Sequence, residues 1–414
     1  MSKRVFAISV LVTAVTGSLA FAEAPESATI LEFGQDDTLF VADSAYGSIF
    51  AYDLPNVGTP PTEDTSYNLL DIGTTVEALL GAETRSVSYN DLAVHPVTRQ
   101  AYVSVSYRIE GTGQSAVVSI APDGSAAIVD LAALSPSKFT LENVADEGVS
   151  FWRDIPAPTL TVTDMDYANG ELFVSGLSTG EFASTLRRVP FPFVDTAASS
   201  SIEMYHAAHA QNETRAPIRA MTVIDIDGIP TVVAAYTCTP LVTIPVSDLQ
   251  DGQHVTGKTI AELGFGNTPV EVLSFASSDM DGNVSTYVMV LNREKDADLI
   301  TMDALTDAAN DPGLAKPVPY LGATAGIATT ALPMAGVLHA ADQDNSFILT
   351  MRRNPENAAM QMVSFRKGAF FRLSDFISEF NFPDYAYADD KFSQGTRMFQ
   401  NLLKKDEGFP DQLR

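Results

Sequence analysis

Two histidines three residues apart, His206 and His209, precede the only cysteine of the chain, Cys238. Two imidazoles and a thiolate make a donor set for a borderline or soft metal ion, Zn or Cu. The same three residues also read as two loop histidines and a buried cysteine acting as a small hydrophobe. The second reading is the expectation here, with donor atoms that do not converge. A harder set consists of Glu32, Asn90, Asp91 and Asp164. Carboxylate and amide oxygens gathered at one mouth suit a hard cation such as Ca²⁺. Arg219 and Glu271 fall at equivalent places in later repeats. An Arg219 that pairs with Asp164 or Glu271 would make the mouth an ion-pair plug. Asp279, Asp281 and Asn283 have the opening spacing of a calcium loop, but no glutamate closes it and a hairpin turn explains them. The chain has no P-loop, no G-x-S-x-G and no H-E-x-x-H.

The elements that must position these groups are strands. An alternating apolar strand of one type recurs six times: TLFVADS from Thr38, AYVSVSY from Ala101, ELFVSGL from Glu171, TVVAAYT from Thr231, TYVMVLN from Thr286 and GVLHAAD from Gly336. Each sits among further short strands and turn residues such as Asn169-Gly170 and Asp227-Gly228. Self-similarity at this spacing predicts a radial repeat, an all-β six-bladed β-propeller with seven blades as the alternative count. Residues 67–72 are expected to close the first blade, 318–321 the fifth, and 327–332 to open the sixth. Residues 137–158, which hold the only tryptophan, Trp152, are expected to be an insertion. The propeller is assigned to 23–366 and a C-terminal extension to 367–414. That extension is rich in aromatics from Phe370 to Tyr387 and partly helical in its spacing after Lys391. It is expected to cover propeller surface.

Residues 1–22 read as a signal peptide, with Lys3 and Arg4 before an apolar run and Ala20-Phe21-Ala22 as the cleavage motif. The chain is therefore expected to be exported, periplasmic or secreted. No other apolar run is long enough to span a membrane. The net charge of −27 sets the protein against nucleic acid and anionic lipid and favours cations and basic partners. One cysteine allows no intramolecular disulfide, so the core alone must hold the fold.

ILEFGQDDTLFVADSAYGSIFAYDL from Ile30, and NDLAVHPVTRQAYVSV from Asn90, resemble blade openings of the gluconolactonase/regucalcin group of six-bladed propellers. The resemblance implies a divalent metal that polarises a lactone, with Glu32 and Asn90 at the matching ligand positions. The remaining ligands do not transfer, because the fourth repeat offers Arg219-Ala220 where an oxygen is wanted. The function expected is a non-catalytic propeller that binds a protein or small-molecule ligand on its polar channel face. A metal-dependent lactonase-type hydrolase is the first alternative, and a Cu- or Zn-handling or redox accessory protein the second.

Overall fold

The computed structural model describes residues 24–35, 37–55, 59–145, 148–151, 155–278, 283–322, 324–370, 372, 374 and 404–408. The signal-peptide segment 1–22, Trp152, the Asp279 and Asp281 pair and most of the aromatic tail lie outside the described residues.

Strands dominate, and they pair in four four-stranded sheets, one ten-stranded sheet and a small hairpin. Sheet A comprises Leu31–Phe33, Thr38–Asp43, Ser48–Asp53 and Ser137–Thr140. Sheet B comprises Ser88–Val94, Ala101–Ile109, Thr112–Ile120 and Ala126–Ile128. The ten-stranded sheet C is two meanders side by side. Its first half holds Asp164–Ala168, Glu171–Leu177, Ser184–Pro190 and Ala198–His206, with Gln211–Glu213 paired to the last; its second holds Ile218–Ile226, Ile229–Tyr236, Pro240–Pro245 and His254–Glu262, with Ala325–Gly326 paired to the last. The halves join through a parallel pairing of Ser201–Met204 with His254–Gly257. Sheet D comprises Pro269–Ser278, Val284–Asn292, Ala297–Thr301 and Thr330–Leu332, and sheet E comprises Val337–Asp342, Phe347–Arg353, Met360–Arg366 and Asn68–Leu69.

The arrangement is propeller-like. The innermost strands neighbour one another in a closed circuit: Leu31–Phe33, Asp164–Ala168, Ile218–Ile226, Pro269–Ser278, Val337–Asp342, Ser88–Val94 and back to Leu31–Phe33. Chain order and ring order differ, since sheet B lies between sheets A and E. Apolar side chains alternate along each strand, and every face so made meets the next sheet. Phe40 and Ile49 of sheet A meet Met165, Leu172 and Val174 of sheet C. Phe50 and Tyr52, on the other face, meet Tyr102 and Val117 of sheet B. Leu349 and Met362 of sheet E meet Leu92 and Val118 of sheet B, which completes the circuit.

Six separate blades are not what the pairing gives, and several expected strands fall elsewhere. The outer strands of the two halves of sheet C are close enough to hydrogen bond, so they merge into one sheet. Residues 67–72 do not close the first sheet: Asn68–Leu69 pairs with Met362 and Val363 of the last one. Ile72 begins a helix, Ile72–Leu80, capped by Asp71 and ended by Gly81 in the left-handed region, with Ile72, Val76 and Leu80 buried on one face. Ser137–Thr140, expected within an insertion, is the outer strand of sheet A and pairs with Ser48–Ala51. Residues 318–321 form no strand, and Thr330–Leu332 closes sheet D instead. Val337–Asp342, not 327–332, is therefore the inner strand of sheet E.

The described part of the extension packs on sheet E. Phe370 is buried against Phe275, and Arg372, 1% exposed, donates to Ser364 O at 3.0 Å and to Asn68 Oδ1 at 2.7 Å. Arg366 pairs with Asp406, and Glu407 accepts from Ser374 N at 3.0 Å. No helix of the described residues is long and apolar enough to cross a membrane.

Candidate functional site

Inner strands do not pair with one another, so their backbone edges need other partners. Carboxylates supply many of them. Asp91 Oδ2 accepts from Leu31 N at 2.7 Å, and its Oδ1 accepts from Leu92 N at 2.8 Å. Asp164 Oδ2 accepts from Met221 N at 2.6 Å, and Asp166, two residues on and so on the same strand face, accepts from Val223 N. Thr163 Oγ1 donates to Ile218 O at 2.6 Å, and His339 Nε2 lies 3.0 Å from Tyr89 O. These groups stitch neighbouring inner strands together across the ring.

The same strands enclose a cavity of about 230 Å³. Its lining includes six carboxyl side chains: Glu32, Asp91, Asp164, Asp166, Glu271 and Asp342. Burial raises all of them, and the charges of neighbouring cavity carboxylates add to it for Glu32, Asp164 and Glu271. Glu32 is held well above the usual carboxylate range by burial and by the charges of Asp166, Asp164 and Asp91. Glu271 is likewise far above its ordinary value, through burial and the charges of Asp164, Asp91 and Glu32. Asp164 is raised strongly by burial and Asp91. Burial pushes Asp91 up to about 7 and Asp166 to about 6. Among the described residues, Asp342 is the one with a close Lys or Arg, Lys367 Nζ at 2.6 Å, yet burial still raises it; Asp91 Oδ1 lies 3.8 Å from His339 Nδ1.

Of the four residues read as hard-cation ligands, Glu32, Asp91 and Asp164 face this cavity and Asn90 does not line it. The Asn90 amide donates to Ala28 O at 3.0 Å and to Ser106 Oγ at 2.9 Å. Arg219 does not line the cavity and forms no ion pair with Asp164 or Glu271; burial lowers its pKa, with Arg293 lowering it further and Asp164 opposing. The ion-pair plug is therefore not built. His339 stands nearby, kept neutral by burial and by the Arg293 and Arg219 charges, with its pKa lowered to about 4. Asp166 was the most legible omission: its i+2 spacing from Asp164 on a strand puts both carboxyls on one face. Arg293, just beyond a strand end, carried no such signal.

The second candidate set also comes together. Donor atoms of His206, His209 and Cys238 all lie within 4.8 Å of one another. Ligation of one ion needs the donors within about 4 Å of one another, so the expectation that they stay apart is not overturned by this spread, but Cys238 is half-buried rather than buried. His206 ends a strand of sheet C, and a tight turn carries His209 back over it, leaving the rings 3.7 Å apart. Burial lowers the His206 pKa, but hydrogen bonds to Cys238 and Glu213 and the charges of Glu213 and Glu262 outweigh it, to about 9.

No protein-family model matches the chain, and no curated protein matches it either. The resemblance to the gluconolactonase/regucalcin group rests on the short motifs alone. Among solved structures, the chain is similar to a glucose dehydrogenase at 10% identity and a TM-score of 0.30, over 83% of this chain and 98% of that one. It is also similar to a chain of Drosophila Plexin A in complex with Semaphorin 1b, at 8% identity and a TM-score of 0.34, over 87% and 90% of the two. At those scores neither likeness bears on activity.

Proposed function

We propose that this protein is a non-catalytic binding propeller, with six blades counted by its inner strands, that takes a small cationic ligand in its central cavity. The observation that carries this reading is the convergence of six carboxyl groups on one cavity, of which, among the described residues, only Asp342 is closely paired to a Lys or Arg. Groups raised by burial and mutual repulsion are stabilised by an incoming positive charge. A cavity of about 230 Å³ is far larger than the roughly 10–15 Å³ that one water needs. It suits an organic ammonium or a hydrated divalent ion better than a single stripped ion. The lactonase-type alternative is less well supported, since Asn90, one of its two transferable ligands, does not line the cavity.

Calorimetry with 1,4-diaminobutane and with Ca²⁺ tests the proposal. Deprotonation of Asp166 near 6 and Asp91 near 7 adds negative charge as pH rises. Affinity for the bound cation should therefore rise at least tenfold between pH 5.5 and 8, and binding should release protons. Glu271→Gln and Glu32→Gln should each weaken it at pH 8. Binding of neither probe at pH 8, or binding indifferent to both substitutions, would sink the reading.

A further inference from the structure

We propose that His206, His209 and Cys238 form a binding site for one divalent borderline metal ion, Zn²⁺ or Cu²⁺, on the surface of sheet C. This site is separate from the central cavity, and neither its test nor its failure touches the reading above.

Two separate pieces of chain are held so that their donors meet. His206 closes the strand Ala198–His206, which pairs with Gln211–Glu213 across the turn that carries His209. Cys238 lies between the strands Ile229–Tyr236 and Pro240–Pro245. Its backbone has φ +81°, a conformation that a residue with a side chain rarely adopts. Asn267 Nδ2 reaches Cys238 O at 3.4 Å, and Leu263 N bonds Thr239 O at 2.8 Å, which ties the loop down. A strained backbone held by its surroundings is a common feature of built sites.

The supporting shell matches what a metal site needs. Glu213 reaches both imidazoles: its Oε1 is 2.6 Å from His209 Nδ1 and its Oε2 is 3.1 Å from His206 Nδ1. A carboxylate on one ring nitrogen orients a histidine and raises its basicity toward a metal on the other. His206 is 1% exposed, and its Nε2 lies 3.2 Å from Thr239 Oγ1, a contact that a metal on that nitrogen replaces. Glu262, itself buried, accepts from Ala207 N at 2.6 Å, from Ala208 N at 3.1 Å and from Thr239 Oγ1. One carboxylate thereby clamps the histidine turn to the cysteine loop. His209 is exposed and Cys238 half-buried, so an ion can enter from solvent. Two imidazoles and one thiolate leave a fourth tetrahedral position open.

The chain has one cysteine, which makes the test direct. The full-length protein, reduced, is titrated with Zn²⁺ and separately with Cu²⁺ while Cys238 is labelled with a maleimide. One equivalent of metal should slow labelling at least tenfold. Cys238→Ser and His209→Gln should each weaken binding at least a hundredfold, and Glu213→Gln by about 10–100-fold. His209 is exposed, so His209→Gln reports on ligation without touching the strained Cys238 loop. Stronger binding of Zn²⁺ with a colourless complex assigns a zinc site. An intense visible thiolate-to-copper absorption assigns a copper one. Labelling unaffected by either metal, or metal affinity unchanged in both Cys238→Ser and His209→Gln, would overturn the proposal.

Discussion

The melting temperature of the ligand-free protein is expected to fall as the pH is raised from 4 to 8. Asp91 and Asp166 ionise near 7 and 6 in the fold, and Glu32, Asp164 and Glu271 are raised as well. Unfolded carboxyls ionise near 4. Between those limits the folded chain keeps protons that the unfolded chain has lost, so stability is full below about pH 4 and is lost as pH rises through the folded values. A tenfold difference in acidity is about 1.4 kcal/mol, so several such groups together amount to several kcal/mol, or a fall on the order of 5–10 °C. Glu271→Gln, which copies the neutral acid, should raise the melting temperature at pH 8 and change little at pH 4. Differential scanning fluorimetry across pH decides the matter. A melting temperature that is flat or climbs over this range in both proteins would refute the account of the cavity.

The second large effect concerns the tail. Arg372 is buried, donates to Ser364 O and Asn68 Oδ1, and lies 3.7 Å from buried Glu407. Arg372→Ala strips a buried carboxylate and two oxygens of a donor, a loss of about 3–5 kcal/mol for an ion pair of this kind. Arg372→Met with Glu407→Gln should recover part of it, because no charge is then left unpaired. Unchanged thermal unfolding of Arg372→Ala would show that the tail contributes nothing to the ring.

Much of the fold was legible in the sequence because most of its strands pair with the next strand along. Period-two alternation in segments such as Glu171–Leu177, with Asn169 and Gly170 at positive φ before it, specifies a hairpin locally. The misplaced strands are those whose partners lie far away. Ser137–Thr140 is polar and exposed at three of its four positions and finds its place only against Ser48–Ala51. Asn68–Leu69 is two residues long and is a strand only because Met362 and Val363 lie beside it. The segment 327–332 was misleading because its apolar residues looked like an inner strand, yet only its last three pair, at the outer edge of sheet D. The cavity acids were half legible. Glu32, Asp91 and Asp164 were visible as polar residues at strand starts, but their use as acceptors for neighbouring backbones depends on ring closure. The meeting of His206 with Cys238 depends on the bend at Cys238, which a cysteine does not announce.

The two borrowed edge strands have a consequence for how the molecule comes into being. Sheet E is finished by Asn68–Leu69, so the N-terminal fifth of the chain waits for the very last strands before its own seam can shut. Tyr67 and the buried face of the helix Ile72–Leu80 pack on sheet B as well, but their contact with Leu349, Met351, Met360 and Met362 waits for the last strands. A chain emerging from its N-terminus can complete sheets A to D, but sheet E and the closure of the ring wait for its last strands, so a fragment ending before Val337 is expected to be an open arc with an unpaired rim at each end.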